Sequence, residues 1–256
     1  MTTREASIVE LAQWLQTPPG RYLLDWERSQ LDAAVVDLFG FHALQLGLSE
    51  LSALETNRMT HRWLALDSLG QPVEGACVSV RCEFDELPFA TASLDLIVLP
   101  HALELARDPH QTLREVERVL RPEGRLIVVG LNPASLWGLR QNIGRLFSRS
   151  RKLFLPRAGD FIGYWRLRDW MRLLGLEVDA ARFGCYAPPL RSETWLARWR
   201  WIEAIGSRWW PVLGAVYFIS ASKRVQGMRL VGLARTHKTK TRAAPAVAVN
   251  SHNKND

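Results

Sequence analysis

Residues 81–131 read RCEFDELPFATASLDLIVLPHALELARDPHQTLREVERVLRPEGRLIVVGL. Asp95 opens the run Leu96-Ile97-Val98-Leu99, which is apolar on both faces, as a central parallel strand must be. Asp108-Pro109-His110-Gln111 reads as a helix start: an aspartate that can cap, proline at the first helical position, and glutamine three residues past the cap. Leu113, Val116, Val119 and Leu120 then fall on one face at helical spacing. Arg121-Pro122-Glu123-Gly124 stops that helix, and Leu126-Ile127-Val128-Val129 is a second buried strand. Strand, crossover helix and strand in this order form the unit of a parallel α/β sheet.

Working outward, Phe41–Gly47, Trp63–Asp67 and Val78–Glu83 read as three earlier strands. Ahead of them, Ile8, Leu11, Ala12 and Leu15 mark a short amphipathic helix. Thr17-Pro18-Pro19-Gly20 is read as its break, and Tyr22 to Phe39 as a second helix. Beyond Leu131, a basic segment runs from Trp137 to Phe154. A helix begins at Tyr164 and stops at Gly175, a sixth strand starts after that stop with Leu176-Glu177-Val178, and Val216–Lys223 is a seventh. The expected architecture is an α/β sheet of seven strands, mostly parallel with the last antiparallel, and helices on both faces. The expected division is a helical cap over residues 1–40, a main domain over 41–233 with a basic, tryptophan-rich addition at 134–212, and a disordered basic tail over 234–256.

The chain has 256 residues, room for one α/β domain with additions. No run approaches the ~18 apolar residues of a membrane span, and the start lacks a signal pattern, so the expected place is the cytoplasm. Cys77, Cys82 and Cys185 have no metal spacing and read as reduced thiols, with no metal site. The net charge of +7 suggests attraction to nucleic acid or an anionic membrane. It is uneven. No acidic residue lies between Glu123 and Asp160, where Arg140, Arg145, Arg149, Arg151, Lys152 and Arg157 occur.

Asp67 lies about twenty residues past Gly47, where an acidic side chain can accept hydrogen bonds from ribose hydroxyls; a turn aspartate ending the strand is the alternative. His101 follows the fourth strand, in the zone beyond the carboxyl ends where open α/β sheets bind ligands. It is the best-placed acid–base group, against the alternative of a histidine that caps or packs. Five of the eleven tryptophans fall within Ser192–Trp210. Read as one helix, Trp195, Trp199, Ile202, Gly206 and Trp209 form a stripe. Such a stripe suits a membrane interface, the roof of an apolar pocket, or packing on the sheet.

Leu87-Pro88-Phe89, Ser93–Ile97 and Leu113–Leu126 closely resemble the class I S-adenosylmethionine-dependent methyltransferases, in the type 11 subgroup that includes the ubiquinone and menaquinone C-methyltransferases. The resemblance covers Phe41 to Pro133 and extends toward Arg224. It implies a Rossmann-like methyltransferase fold, S-adenosyl-L-methionine as cofactor, and methyl transfer to a small or lipid-like acceptor. In that family the first strand leads into an acidic residue and three glycines at alternate positions. Here Gly47 matches the first glycine, Ser49 and Leu51 replace the others, and Gln45 replaces the acid. The resemblance also implies that Glu83 receives the adenine amino group and that Phe84 contacts the ring. The expected cofactor residues are therefore Gly47, Asp67, Glu83 and Phe84, with His101 as the catalytic candidate. Two other functions stay open: a degenerate, non-catalytic binding module, suggested by the eroded loop, and an RNA-modifying methyltransferase, suggested by the basic charge. The second ranks lower, because the Asn/Asp-Pro-Pro-aromatic motif is absent at Leu99-Pro100-His101-Ala102. Peripheral contact with the inner face of the membrane through Trp195–Trp210 completes the expectations.

Overall fold

The computed structural model describes residues 3–67, 79–147, 154–156, 161–199 and 201–224. The expectations placed on Cys77, Val78, Arg149, Arg151, Lys152, Arg157 and the 234–256 tail lie outside these residues. Among the described residues, seven strands form one sheet: β1 His42–Leu46, β2 His61–Leu66, β3 Val80–Arg81, β4 Leu94–Pro100, β5 Leu120–Leu131, β6 Leu176–Gly184 and β7 Val216–Lys223. Their order is β3-β2-β1-β4-β5-β7-β6. Only β7 runs against its neighbours, pairing antiparallel with β5 and β6, while β4 and β5 are adjacent and parallel. The third strand is two residues long, shorter than its sequence suggests, because it pairs only with the end of β2.

The double-faced apolar strands explain the layering. Leu96, Val98, Ile127 and Val129 point to one core, beneath α1 Thr3–Leu15 and α2 Pro18–Val35. Ile97, Leu99, Leu126 and Val128 point to the other, beneath α4 Pro109–Val119 and α6 Tyr164–Leu173. Asp108 caps α4 as its spacing predicts, accepting from the backbone N–H groups of His110 and Gln111 at 2.9 and 3.1 Å. Asp95 ties the amino ends of β1 and β4 together. Its carboxylate accepts from the N–H groups of Phe41 and His42 and from Arg121. Partial burial opposes its charge, but these donors prevail and hold its pKa below the usual range.

Thr17-Pro18-Pro19-Gly20 does more than end α1. Thr17 caps α2 and Pro18 is its first residue, where a missing N–H costs nothing. A Cβ on Gly20 would come within 2.4 Å of the Trp14 carbonyl, so the corner between the helices closes only on glycine. The described residues, 3 to 224, belong to one compact unit, with the two amino-terminal helices inside it.

The carboxyl edge is dressed by α3 Ala102–Leu105, α5 Leu136–Phe147 and a long connection from β6 to β7. The single tryptophan helix expected there is two short helices, α7 Glu193–Arg198 and α8 Ile202–Trp209. The break changes which residues face inward. Leu196 and Gly206 are buried, while Trp195 and Trp209 are exposed, so the proposed stripe is not one face. Among the described residues, no helix is long and apolar enough to cross a membrane.

Candidate active site

The carboxyl ends of β1 and β2 open into a cavity of ≈ 350 Å³. One wall is the loop after β1, Gly47 to Glu50; another is Leu66 and Asp67 at the end of β2; Phe84 and Leu105 complete the base, and Ile8, Leu11 and Ala12 of α1 form a roof. Its surface is mostly apolar, with Asp67 and Glu50 as the carboxylates. Sequence reasoning thus placed Gly47, Asp67 and Phe84 in one site. Glu83 is half-buried beside Phe84 but does not line the cavity. The Cys82 thiol, pushed up to about 11 by burial, also feels the Asp67 and Glu83 carboxylates, which puts both near the end of β3.

Gly47 has φ +78°, in the left-handed region. A Cβ there would meet Ala102 and Phe84 at 3.5 and 3.6 Å, ordinary contacts, so the backbone angle rather than crowding calls for glycine. Its N–H donates to Ala65 O at 2.8 Å, holding the loop against β2. The loop is organised around Gln45, which is 4% exposed. The Gln45 amide nitrogen donates to the carbonyls of Gly47, Leu48 and Leu51, and its oxygen accepts from the Ala53 N–H. A carboxylate could do only the last of these. Leu51, in place of a glycine, is fully buried, in the same core as Leu11 and Leu15 of α1. The loop therefore takes its own path, pinned by one amide and one leucine.

Glu50 was missed, since its loop position carries no sequence signal. Burial raises its carboxyl pKa, against hydrogen bonds from its own N–H and from Ser49. A cation entering the cavity would oppose that rise by favouring the charged carboxylate.

His101 lies at the end of β4 with φ +52°, fully buried. Its Nδ1 and Nε2 each lie 2.8 Å from a carboxylate oxygen, Glu104 Oε2 and Glu27 Oε1 respectively. Glu104 also accepts from the Leu131 N–H, at the end of β5. Burial works against the imidazolium, yet the two carboxylates hold the His101 pKa well above its usual value. Burial, by contrast, raises the Glu27 pKa, and the facing His101 partly offsets that rise. Both ring nitrogens are taken, so His101 has no nitrogen left for an acceptor's proton. The open atom is Glu27 Oε2, buried and without a hydrogen-bond partner. Sequence reading named His101 but not Glu27, because the pairing spans 74 residues.

Among the described residues no cluster of three or more His, Cys, Asp or Glu is arranged to hold a metal.

A Rossmann-like sheet with one reversed strand, and a ligand cavity over the carboxyl ends of β1 and β2, defines a class I methyltransferase architecture. Residues 43–128 match a family described as "Methyltransferase domain". An Escherichia coli relative, described as uncharacterized protein YafS, is 34% identical over 172 residues, covering 66% of this chain and 67% of that protein. The demethylmenaquinone methyltransferase of Chlamydia pneumoniae is 33% identical over 60 residues, 23% of this chain and 26% of its own. An S-adenosylmethionine-dependent methyltransferase structure from Thermotoga maritima superposes with a TM-score of 0.52 at 18% identity, over 80% of this chain and 97% of that one. The chain belongs to the class I S-adenosylmethionine-dependent methyltransferase family. S-adenosylmethionine is its cofactor, and the composition of the cavity suits it: mostly apolar walls with the carboxylates of Asp67 and Glu50 among them.

Proposed function

We propose that the protein transfers a methyl group from S-adenosylmethionine to a small, apolar or lipid-like acceptor. The observation that carries this reading is the open tryptophan-rich surface built by the β6–β7 connection at the carboxyl edge of the sheet, where acceptors must approach. A lipid-like acceptor would be met at a lipid surface, so peripheral membrane contact through Trp195–Trp210 belongs to the same reading. The cofactor's sulfonium supplies an electrophilic methyl group, and the protein's task is to align the nucleophile. In this reading Gly47 lets the backbone approach the cofactor, Asp67 accepts from ribose, Phe84 contacts the adenine face, Glu83 receives its amino group, and Glu50 faces the ammonium. His101, held between Glu27 and Glu104 at the end of β4, is a positioning residue for this edge.

The test is transfer of labelled methyl from S-adenosylmethionine into a total cell extract, followed by separation into chloroform-soluble, water-soluble and RNA fractions. Label in the chloroform or small-molecule fraction is expected. Label confined to RNA would overturn the acceptor class and favour the RNA-modifying alternative.

A further inference from the structure

Among the described residues, fourteen large apolar side chains are exposed, and nine of them lie in two segments, 136–143 and 195–213. On α5, Leu136, Leu139 and Ile143 are about half exposed. At 100° per residue they fall within about 60° of one another, and Trp137 and Gln141 point the other way. The second segment exposes Trp195, Trp201, Trp209 and Trp210, between 50 and 70% each.

These two segments are neighbours in space. Trp137 of α5 donates its indole N–H to Ala187 O at 2.7 Å, and Arg140 donates to Pro189 O, so α5 lies along the chain that leads into α7. Tyr22 of α2 stands between them. Its ring is 6.3 Å from that of Trp137, and its hydroxyl donates to Glu203 of α8. Glu203 also accepts from the Tyr186 N–H at 2.8 Å. The inward-facing groups of α5 and α8 thus meet on one residue of the cap, and their outward faces are apolar.

The charge on this surface has one predominant sign. Arg140, Arg198 and Arg208 are exposed. α5 contains no acidic residue, Glu203 is turned inward, and Glu193 is the exposed acid of α7 and α8. Indoles flanked by guanidinium groups match the boundary between lipid headgroups and acyl chains, where a ring needs an apolar bed and a polar rim.

We infer that α5, α7 and α8 form one docking face for an anionic phospholipid bilayer, with Tyr22 joining its two halves. This deepens the lipid-like acceptor reading and rests on it for its purpose, although docking itself is read without any acceptor. The face is wider than the tryptophan segment alone, because α5 contributes a second apolar row that the sequence reading saw only as basic.

The test is flotation of the full chain with vesicles of phosphatidylcholine alone and of phosphatidylcholine with phosphatidylglycerol, at low and high salt. The wild-type chain is expected to float with the anionic vesicles at low salt, and less at high salt as its charges are screened. Leu139→Glu with Ile143→Glu, and separately Trp209→Glu with Trp210→Glu, should each lower the bound fraction. Arg198→Gln and Arg208→Gln should each lower binding about fivefold at low salt, one basic contact's worth. All these side chains are exposed, and unchanged melting temperatures would confirm that the variants fold. No flotation on anionic vesicles at low salt overturns the inference. So does a stable dimer dissolved by the same glutamate substitutions, which would make the face a contact between copies. Flotation insensitive to the α5 pair would restrict docking to α7 and α8 and overturn the joined face. Flotation without lipid-soluble label would sink the proposed acceptor and leave the docking face standing.

Discussion

Gln45 shows how one side chain can replace a motif. Its amide satisfies three carbonyls and one N–H of the loop over the cavity, two of them at 2.8 and 2.6 Å from the nitrogen. Restoring the family's acid should therefore harm this protein. In Gln45→Glu the three carbonyls lose their donor and face a carboxylate, a loss of about 1–3 kcal/mol for buried groups left unsatisfied. A lower melting temperature and weaker S-adenosylhomocysteine binding by calorimetry are expected; an unchanged variant would show that the loop is held by Leu51 alone. At the same site, Asp67→Ala should cost about 1.5–3 kcal/mol of cofactor affinity, the range for a hydrogen bond to a charged group. Glu83→Ala should cost less, because Glu83 does not line the cavity whereas Asp67 does. A larger loss at Glu83 would mean the adenine end shifts toward β3 on binding. Gly47, Asp67 and Phe84 were legible because strand ends and loops follow from local pattern. The loop's path was not, since glutamine and leucine in place of acid and glycine predict change without saying which carbonyls turn inward.

At the scale of elements, the cap helix α2 is held to the sheet by the buried Glu27–His101–Glu104 cluster, with both contacts at 2.8 Å. Removing the imidazole leaves two carboxylates buried without a cation. His101→Ala should cost about 3–5 kcal/mol, read as a fall in the urea midpoint. The pH dependence has a definite sign. His101 is raised in the folded state, so its contribution is fully present below its ordinary value of 6.5 and is lost as pH rises through the raised value. Glu27 is also raised, mainly by burial, and acts in the same direction from a lower start. The cap should loosen on the alkaline side. Amide exchange in α2, corrected for intrinsic rates, should speed up there in the wild type. A cap equally protected at every pH would contradict the charge assignment. None of this is visible in sequence, where Glu27 is one charge in a helix rich in them. The α2 start was in plain view in Thr17-Pro18-Pro19-Gly20, since proline after a threonine opens helices as readily as it ends them.

Taken whole, the molecule follows from the run at 81–131. Parallel strands that are apolar on both sides require two helical layers, and the sheet order with one reversed strand completes them. The β6–β7 connection was the least legible part. Its tryptophans suggested one helix, but burial is decided by Tyr186 against Gly206 and by the Tyr22–Glu203 bond, all distant in sequence. The arrangement also separates the indoles into optical classes. Trp14 and Trp137 are buried, with their N–H groups bonded to the carbonyls of Phe154 and Ala187 at 2.7 Å, whereas Trp195, Trp201, Trp209 and Trp210 stand in water. Iodide should quench the red part of the emission and leave a blue remainder from the interior pair. Vesicles that engage the outer face should shift most of the quenchable part toward the blue and shield it, leaving the exposed Trp165 of α6 open to iodide, so the protein carries its own fluorescent gauge of where it sits.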